Sequence, residues 1–338
     1  MFYSGVSPLT SMHEKYKSEV LYGKKDGITN KYVRENEIFA DVFNFYIYNG
    51  KQVIDPEQLQ PLDTAEIGTP FGGKEGQEVV QKYRDILKRV AVKQDDSMTY
   101  LLLGIEDQTR IHYAMPVRNI IYDALQYGKQ VEEIARRHAR EKDHPGHAGD
   151  EYLSGFYKED RIVPVITLVI FFGAKKWDGP LSLHEMMGEQ PSEIMELVQD
   201  YRIHLIQPAT LTDEDLEKFQ TSMWEVMSFI KYSKDKSKIK SLLKDNPRFR
   251  GLRREAAMVI DEYTNMEYVF DEEESVNMCE GVQGMIDDAV EEALEKENTA
   301  LVENIRHLMK NMNLTAQQAV EAMGLTEEKK QIVLKKLE

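Results

Sequence analysis

The chain has 338 residues, of which 41% are hydrophobic and 30% are charged, a balance typical of a folded protein rather than a disordered one. Its formal net charge of −16 argues against a protein that coats nucleic acid with its whole surface, although it leaves room for a local basic groove. The single cysteine, Cys279, excludes an intrachain disulfide and a zinc site built from several thiolates, and it favours a reducing compartment.

The N-terminal sequence MFYSGVSPLTSMHEKYKSEV lacks a basic start followed by an apolar segment, and no run approaches about 18 uninterrupted apolar residues. We therefore predict a cytoplasmic protein with no membrane partner. Residues 1–30 are polar and show no periodicity, so they are predicted to form a loosely ordered lead-in.

The first predicted element is an amphipathic helix over 32–48, YVRENEIFADVFNFYIY, on which Glu37 and Asp41 lie one turn apart. The turn-rich sequence that follows is predicted to be a long loop. From about Tyr83, the segments RDILKRVAVKQ, QDDS and TYLLLGIEDQ predict two strands joined by a turn. This part of the chain is expected to be a β-hairpin.

A long helix is predicted over 115–142, and a strand buried on both faces over 161–172, RIVPVITLVIFF. Beyond about residue 190, helical patterns dominate. At the C-terminus, Leu314-Thr315, Gly324 and Leu325-Thr326 mark two helix starts and a break. We favour a helical hairpin for packing or self-association over a DNA-reading module there, because mainly lysines qualify as base or phosphate contacts.

The predicted hairpin places carboxylates at matching ends of its strands. Asp85 opens the first strand and Glu106 lies near the end of the second, while Glu106 and Gln108 project to one face because they are two residues apart. A charge in the apolar strand LLLGIEDQ is costly unless it is paired or metal-bound. The alternative is that Glu106 lies past the buried stretch, at the solvated edge of the strand.

Several segments together resemble the PD-(D/E)XK nuclease family transposases, relatives of the recombination-promoting nucleases. They are Tyr83-Arg84-Asp85, Gly104-Ile105-Glu106-Asp107-Gln108, IHYAMPVRNIIYDALQYGKQV, VPVITLVIFFGAKKWDGPLSL and VNMCEGVQGM. The resemblance covers most of the chain. The motif D…ExQ alone is weak, whereas the ordered set is specific.

The resemblance implies an α/β fold with a restriction-endonuclease-like mixed sheet flanked by helices, followed by a mostly α-helical C-terminal region. We expect a lead-in over 1–30, a nuclease core over 31–190, a helical region packed on the core over 191–280 and a C-terminal helical tail over 281–338. The tail is the expected surface for homo-oligomer formation.

The resemblance also implies a DNA endonuclease that depends on Mg²⁺ or Mn²⁺ and acts in recombination or mobile-element movement. Asp85 and Glu106 would hold the metal, with the backbone carbonyl of Asp107 completing its shell. An acid of the first helix, Glu37 or Asp41, would sit beside them. Separately from the resemblance, the position of Arg118 at the start of the long helix allows it either to reach a phosphate or to pair with an acid.

The chain departs from the superfamily pattern at Gln108, which stands where the motif has a lysine. Glutamine has no positive charge, but it can orient a water by donating and accepting hydrogen bonds. Two alternatives therefore stay open beside the DNA endonuclease. One is a nuclease that acts on RNA, and the other is a catalytically silent nuclease fold that binds DNA or a protein partner.

Overall fold

The computed structural model describes residues 27–62, 65–68, 80–83, 85–94, 97–108, 110–141, 149–244, 246–264 and 273–337, together with residues 266, 268 and 270. The chain divides into two compact units, one ending at Val276 and the other spanning Asn277–Glu338. Of the predicted lead-in over 1–30, residues 1–26 lie outside the described residues, whereas residues 27–30 are helical, so the prediction is wrong for them. The hairpin turn at 95–96 also lies outside the described residues.

A five-stranded mixed sheet forms the centre of the first unit, in the order β1-β4-β5-β6-β7. Its strands are β1 (Gln60–Pro61), β4 (Ile86–Gln94), β5 (Ser97–Gln108), β6 (Val165–Phe171) and β7 (His204–Ile206). Strands β1, β4 and β5 pair antiparallel, whereas β6 is parallel to both β5 and β7. A separate antiparallel pair is formed by β2 (Ala65–Gly68) and β3 (Val80–Tyr83).

Two helices flank the sheet, and strand alternation shows that they lie on opposite faces. Helix α1 (Asn36–Tyr48) places Phe39 against the ammonium group of Lys88, which lies 4.5 Å from the ring centroid. Lys88 pairs with Leu103, so α1 covers the face that carries the odd-numbered side chains of β5. Helix α2 (Met115–Glu141) contacts Glu106, which projects from the other face.

Short elements complete the first unit, and a helical segment over 27–33 precedes α1. The helices are α3 (Asp150–Ser154), α4 (Ser192–Met195), α5 (Asp213–Leu216), α6 (Met223–Tyr232), α7 (Lys236–Leu243), α8 (Pro247–Arg250) and α9 (Arg254–Thr264). Strands β8 (Leu252–Arg253) and β9 (Ser275–Val276) pair antiparallel. Single 3₁₀ turns lie at Pro56–Gln58, His184–Met186 and Pro208–Thr210.

The second unit is helical, with α10 (Met278–Met312), α11 (Ala316–Ala322) and α12 (Glu327–Leu337). Thr315 caps α11 in a capping box with Gln318, and Gly324 adopts a left-handed conformation with φ of 65° after the helix. Val302, Ile305, Ala319, Val320 and Val333 form its small core. The predicted helix start at Thr315 and the break at Gly324 are confirmed.

The predicted hairpin, long helix and buried strand are confirmed, with the first strand beginning at Ile86 and the long helix ending at Glu141. The predicted long loop instead contributes β1 and β2, because short strands leave little hydrophobic periodicity. The sheet also extends through β7, beyond residue 190, where we expected the core to end. Among the described residues, no helix is both long enough and apolar enough to cross a membrane.

Candidate active site

The hairpin register brings Asp85 and Glu106 to the same end of the sheet. Ile86, the first residue of β4, pairs with Ile105. Asp85 comes just before Ile86 and Glu106 just after Ile105, so in this antiparallel pair the two acids lie beside each other. Asp85 is half-buried, whereas Glu106 is fully buried with 0% of its surface exposed. The alternative that placed Glu106 at the solvated edge of its strand is therefore wrong.

Glu106 is compensated by a cation from α2. The Nη2 atom of Arg118 lies 3.0 Å from Oε2 of Glu106, and Nε of Arg118 donates a hydrogen bond of 3.0 Å to the hydroxyl of Tyr122. Arg118 and Tyr122 are four residues apart, one turn of α2, so both face the carboxylate. The structure thus pairs Arg118 with an acid, while 31% of its side chain stays exposed.

The pKa values of Arg118 and Tyr122 are shifted by the charges of both carboxylates, Glu106 and Asp85. Burial raises the pKa of the Tyr122 phenol, and the charges of Glu106 and Asp85 raise it further. Burial acts to lower the pKa of Arg118, but the charge of Glu106, the Tyr122 hydroxyl and Asp85 together raise it above the usual arginine value. Asp85 and Glu106 therefore both lie close enough to Arg118 and Tyr122 to act on the same two side chains.

Gln108 shares the face of Glu106. It pairs with Phe171 of β6, only 9% of it is exposed, and its backbone carbonyl accepts a hydrogen bond of 3.3 Å from the Phe172 amide. Asp107 lies between them in β5 and pairs with Ile170, while its side chain lies outside the description. The order of polar groups along the end of β5 is therefore the one that the sequence predicts.

The two acids of the first helix lie elsewhere. Asp41 is 1% exposed and accepts hydrogen bonds from the backbone amides of Gln220 and Thr221 at 2.9–3.0 Å and from the Thr221 hydroxyl at 2.6 Å. Glu37 is largely exposed and lies 3.7 Å from Arg253. The contacts of Asp41 hold the segment that leads into α6, so the structure does not bring it to the carboxylate pair.

The amino-terminal end of α1 nevertheless reaches the site through backbone contacts that the sequence did not indicate. Arg34 donates a hydrogen bond of 2.9 Å to the backbone carbonyl of Asp85. Lys88 donates to the Arg34 carbonyl and to Oδ1 of Asn36, both at 2.6 Å. Burial lowers the pKa of Lys88 to about 8. These bonds fix the start of β4, and with it the position of Asp85.

A buried polar network continues from the site along α2. Asp123 accepts hydrogen bonds of 2.6 Å from the hydroxyls of Thr167 and Tyr201. Asn119 lies one turn before Asp123 and is fully buried, and its amide atoms have no hydrogen-bond partner among the described residues. The i and i+4 spacing of 118 with 122 and of 119 with 123 is the sequence signal that could have found this network.

A surface pocket of about 380 Å³ opens beside this network. Arg118 and Tyr122 line it, together with His112, Ala114, Val117 and Ile121. The pocket gives a small ligand or a phosphate group access to the exposed part of Arg118.

Comparison with family models, with curated proteins and with solved structures found no match for this chain. Arguments about its function therefore rest on the geometry of the carboxylate site.

The donor set at this site suits a hard divalent cation. Two carboxylates and an amide oxygen are available, and Mg²⁺ is commonly held by one or two carboxylates with water and substrate phosphate in the other positions. Within the described ranges, no group of three or more His, Cys, Asp or Glu residues could hold a metal ion. Asp85 and Glu106 are the two carboxylates that the described part of the chain places at this end of the sheet.

Proposed function

We propose that the chain is a divalent-metal-dependent DNA endonuclease with Asp85, Glu106 and Gln108 at its centre. The observation that carries the proposal is the adjacency of Asp85 and a fully buried Glu106 at one end of a hairpin, on the sheet face that α2 covers. A buried carboxylate is expensive to maintain, so its retention beside a second acid favours a role in chemistry.

The order of elements supports a restriction-endonuclease-like fold. A helix is followed by three antiparallel strands, β1, β4 and β5, then by a second helix and the parallel strand β6. A mixed sheet flanked by helices is what the resemblance of the sequence implies. From that resemblance we also propose a role in recombination or mobile-element movement. From the N-terminal sequence and the single cysteine we propose a cytoplasmic location, and from the C-terminal helical pattern we propose self-association through those helices.

In the proposed reaction, Asp85 and Glu106 would hold Mg²⁺ or Mn²⁺. When bound, the cation supplies Lewis-acid stabilisation of the charge that develops on the phosphate. Gln108 would orient the attacking water, because its amide can donate and accept hydrogen bonds. The guanidinium of Arg118, exposed on one side, can offer paired donors to a phosphate oxygen.

A second candidate function is a catalytically silent fold that binds DNA or a protein. Arg118 favours it, since a guanidinium 3.0 Å from Glu106 already neutralises that carboxylate without a metal. The absence of a lysine at Gln108 points the same way. The two candidates differ in one measurable property, which is whether the chain cleaves DNA in a reaction that needs both a metal and Glu106.

The test uses the full chain and supercoiled plasmid, with Mg²⁺, Mn²⁺ or EDTA, followed on a gel. We expect nicking and linearisation only with metal. Asp85→Asn and Glu106→Gln are expected to slow cleavage by about a hundredfold, which corresponds to roughly 2.7 kcal/mol in the barrier. Both substitutions keep the side-chain shape and remove the charge.

The matched control is Glu196→Gln, since Glu196 is an exposed acid on the surface of the first unit. It should cleave like the parent protein. Inertness of the parent under all metal conditions, with intact circular dichroism, would favour the silent binding module. Cleavage of RNA but not of plasmid would support the proposed active site and show that its substrate is RNA rather than DNA.

A further inference from the structure

A groove of about 870 Å³ lies at the end of β5 remote from Glu106. Five arginines line it, against three acids, in a chain whose net charge is −16. These arginines are Arg89, Arg136, Arg137, Arg140 and Arg161, and we call the site the arginine groove. It is a local concentration of positive charge on an acidic protein.

Three separate elements deliver these arginines. Arg89 projects from β4 on the same face as Tyr100 of β5, because Arg89 pairs with Leu102 and Tyr100 pairs with Ala91. Arg136, Arg137 and Arg140 belong to the last turns of α2. Arg161 lies in the loop before β6. Tyr100 lines the groove with 55% of its surface exposed.

The wall formed by the loop before β6 is held firmly. The Gln130 side chain donates a hydrogen bond of 3.1 Å to the Val163 carbonyl and accepts one of 2.6 Å from the Val163 amide. Nε2 of His138 lies 2.9 Å from Oδ2 of Asp160, and the His138 ring stacks on Tyr157 at 3.9 Å. The shape of the groove is therefore set before any ligand arrives.

The acids of the groove do not neutralise all of its arginines. Asp160 is engaged by His138, by the Tyr157 amide at 2.7 Å and by Arg137 at 3.4 Å. Arg89 and Arg140 are exposed, and within the described parts of the chain neither has an ion pair or a side-chain hydrogen bond. They face the groove with their charge available.

Arginines at a helix carboxyl end also complement the helix dipole, which accounts for Arg140 without any ligand. It does not account for Arg89 on a strand or for Arg161 on a loop, which line the same groove. Convergence from three elements is the arrangement expected of a binding site for an anion. An exposed aromatic among arginines is typical of surfaces that hold a nucleic-acid strand.

We propose that the arginine groove binds the phosphodiester backbone of a nucleic-acid strand, with one base stacked on Tyr100. The identity of this polyanion rests on the proposed nuclease function. Tyr100 and Glu106 are six positions apart on β5, which is about 20 Å at the rise of a strand. At the rise of duplex DNA, about 3.4 Å per nucleotide, that distance equals about six nucleotides, and a more extended single strand spans it with fewer.

The test measures binding without cleavage. Fluorescence anisotropy in EDTA would follow a labelled oligothymidylate of about 20 nucleotides and a duplex of equal length, across about 50 to 200 mM salt. The groove variant is Arg89→Ala with Arg140→Ala. The matched control is Arg306→Ala with Lys310→Ala, which removes two exposed positive charges from the second unit.

We expect the groove variant to bind the oligothymidylate about tenfold more weakly and to lower the slope of log K against log salt by about 1.4, since each phosphate contact contributes about 0.7. Tyr100→Leu should weaken oligothymidylate binding by at least about fivefold and leave the salt slope unchanged. The control should bind like the parent.

Unchanged affinity of the folded groove variant would overturn the proposal, and so would equally good competition by polyglutamate of matched length. Loss of duplex binding together with oligothymidylate binding supports it, because the phosphodiester is shared. Glu106→Gln should still bind the oligothymidylate in EDTA, although its cleavage with metal should be about a hundredfold slower. Failure of the groove and failure of the nuclease are therefore separate results.

Discussion

Removing Arg118 should expose the energetic cost of burying Glu106. Arg118→Met replaces the aliphatic part of the side chain, but it deletes the hydrogen bond to Tyr122 and the cation 3.0 Å from a carboxylate with no solvent exposure. A buried charge left without its partner is strongly destabilising. The variant should therefore be less stable near pH 7, and Glu106 should take up a proton more readily.

The size of the effect follows from the distance and the exposure of the pair. Two unit charges 3.0 Å apart attract by about 5 kcal/mol at an effective dielectric constant of about 20. Arg118 is 31% exposed, so solvent screens part of this attraction and desolvation offsets more of it. We expect a coupling energy of about 2 kcal/mol between the two side chains.

The assay is a double-mutant cycle in urea with Arg118→Met, Glu106→Gln and the combined variant. The single Arg118→Met change should cost about 3 kcal/mol, and the combined variant should recover most of it, because no charge then remains buried. A coupling energy below about 0.5 kcal/mol would refute the reasoning. It would mean that Glu106 is stabilised by groups other than Arg118.

Three further predictions concern groups around the site. Burial lowers the Lys88 pKa to about 8, so above pH 8 the folded state binds fewer protons than the unfolded state, whose lysine has the ordinary pKa of 10.5. The free energy of unfolding should therefore rise by about 2 kcal/mol between pH 8 and pH 10.5, relative to Lys88→Met, when both proteins are unfolded in urea. Asp41→Ala should lower the unfolding free energy by about 2–4 kcal/mol, yet leave the cleavage rate per folded molecule unchanged. If cleavage is lost with stability restored by a ligand or osmolyte, Asp41 acts in the chemistry. Gln108→Lys should speed plasmid cleavage by about tenfold and Gln108→Ala should slow it by a similar factor; equal rates in all three would remove Gln108 from the site.

The sequence predicted the elements that carry the candidate acids, because their signals are local. The strands on either side of residues 95–96 have strong β patterns, and Glu106 and Gln108 share a face by strand alternation alone. The helix over 115–141 is predicted from the apolar stripe in its sequence. Such patterns depend on neighbours a few residues away, which is the range over which a sequence can be interpreted directly.

The parts that the sequence did not predict depend on contacts between distant residues or on weak patterns. Whether Arg118 would meet a phosphate or an acid depended on the packing of α2 over β5, which no spacing within α2 specifies. Asp41 looked equivalent to Glu37 on the helix, but its partners at 220 and 221 decide its role. Strands of two to four residues, such as β1 and β7, are too short to show a period.

The contact between Asp41 and the 220–221 segment also has a consequence for folding during synthesis of the chain. Its hydrogen-bond partners lie 179 and 180 residues further along the chain. At about 5–20 residues per second, a ribosome needs roughly 10–40 s to reach them after Asp41 is made. During that interval the Asp41 carboxylate lacks these hydrogen-bond donors, so this anchor of α1 can form only after both strands of the hairpin have been made.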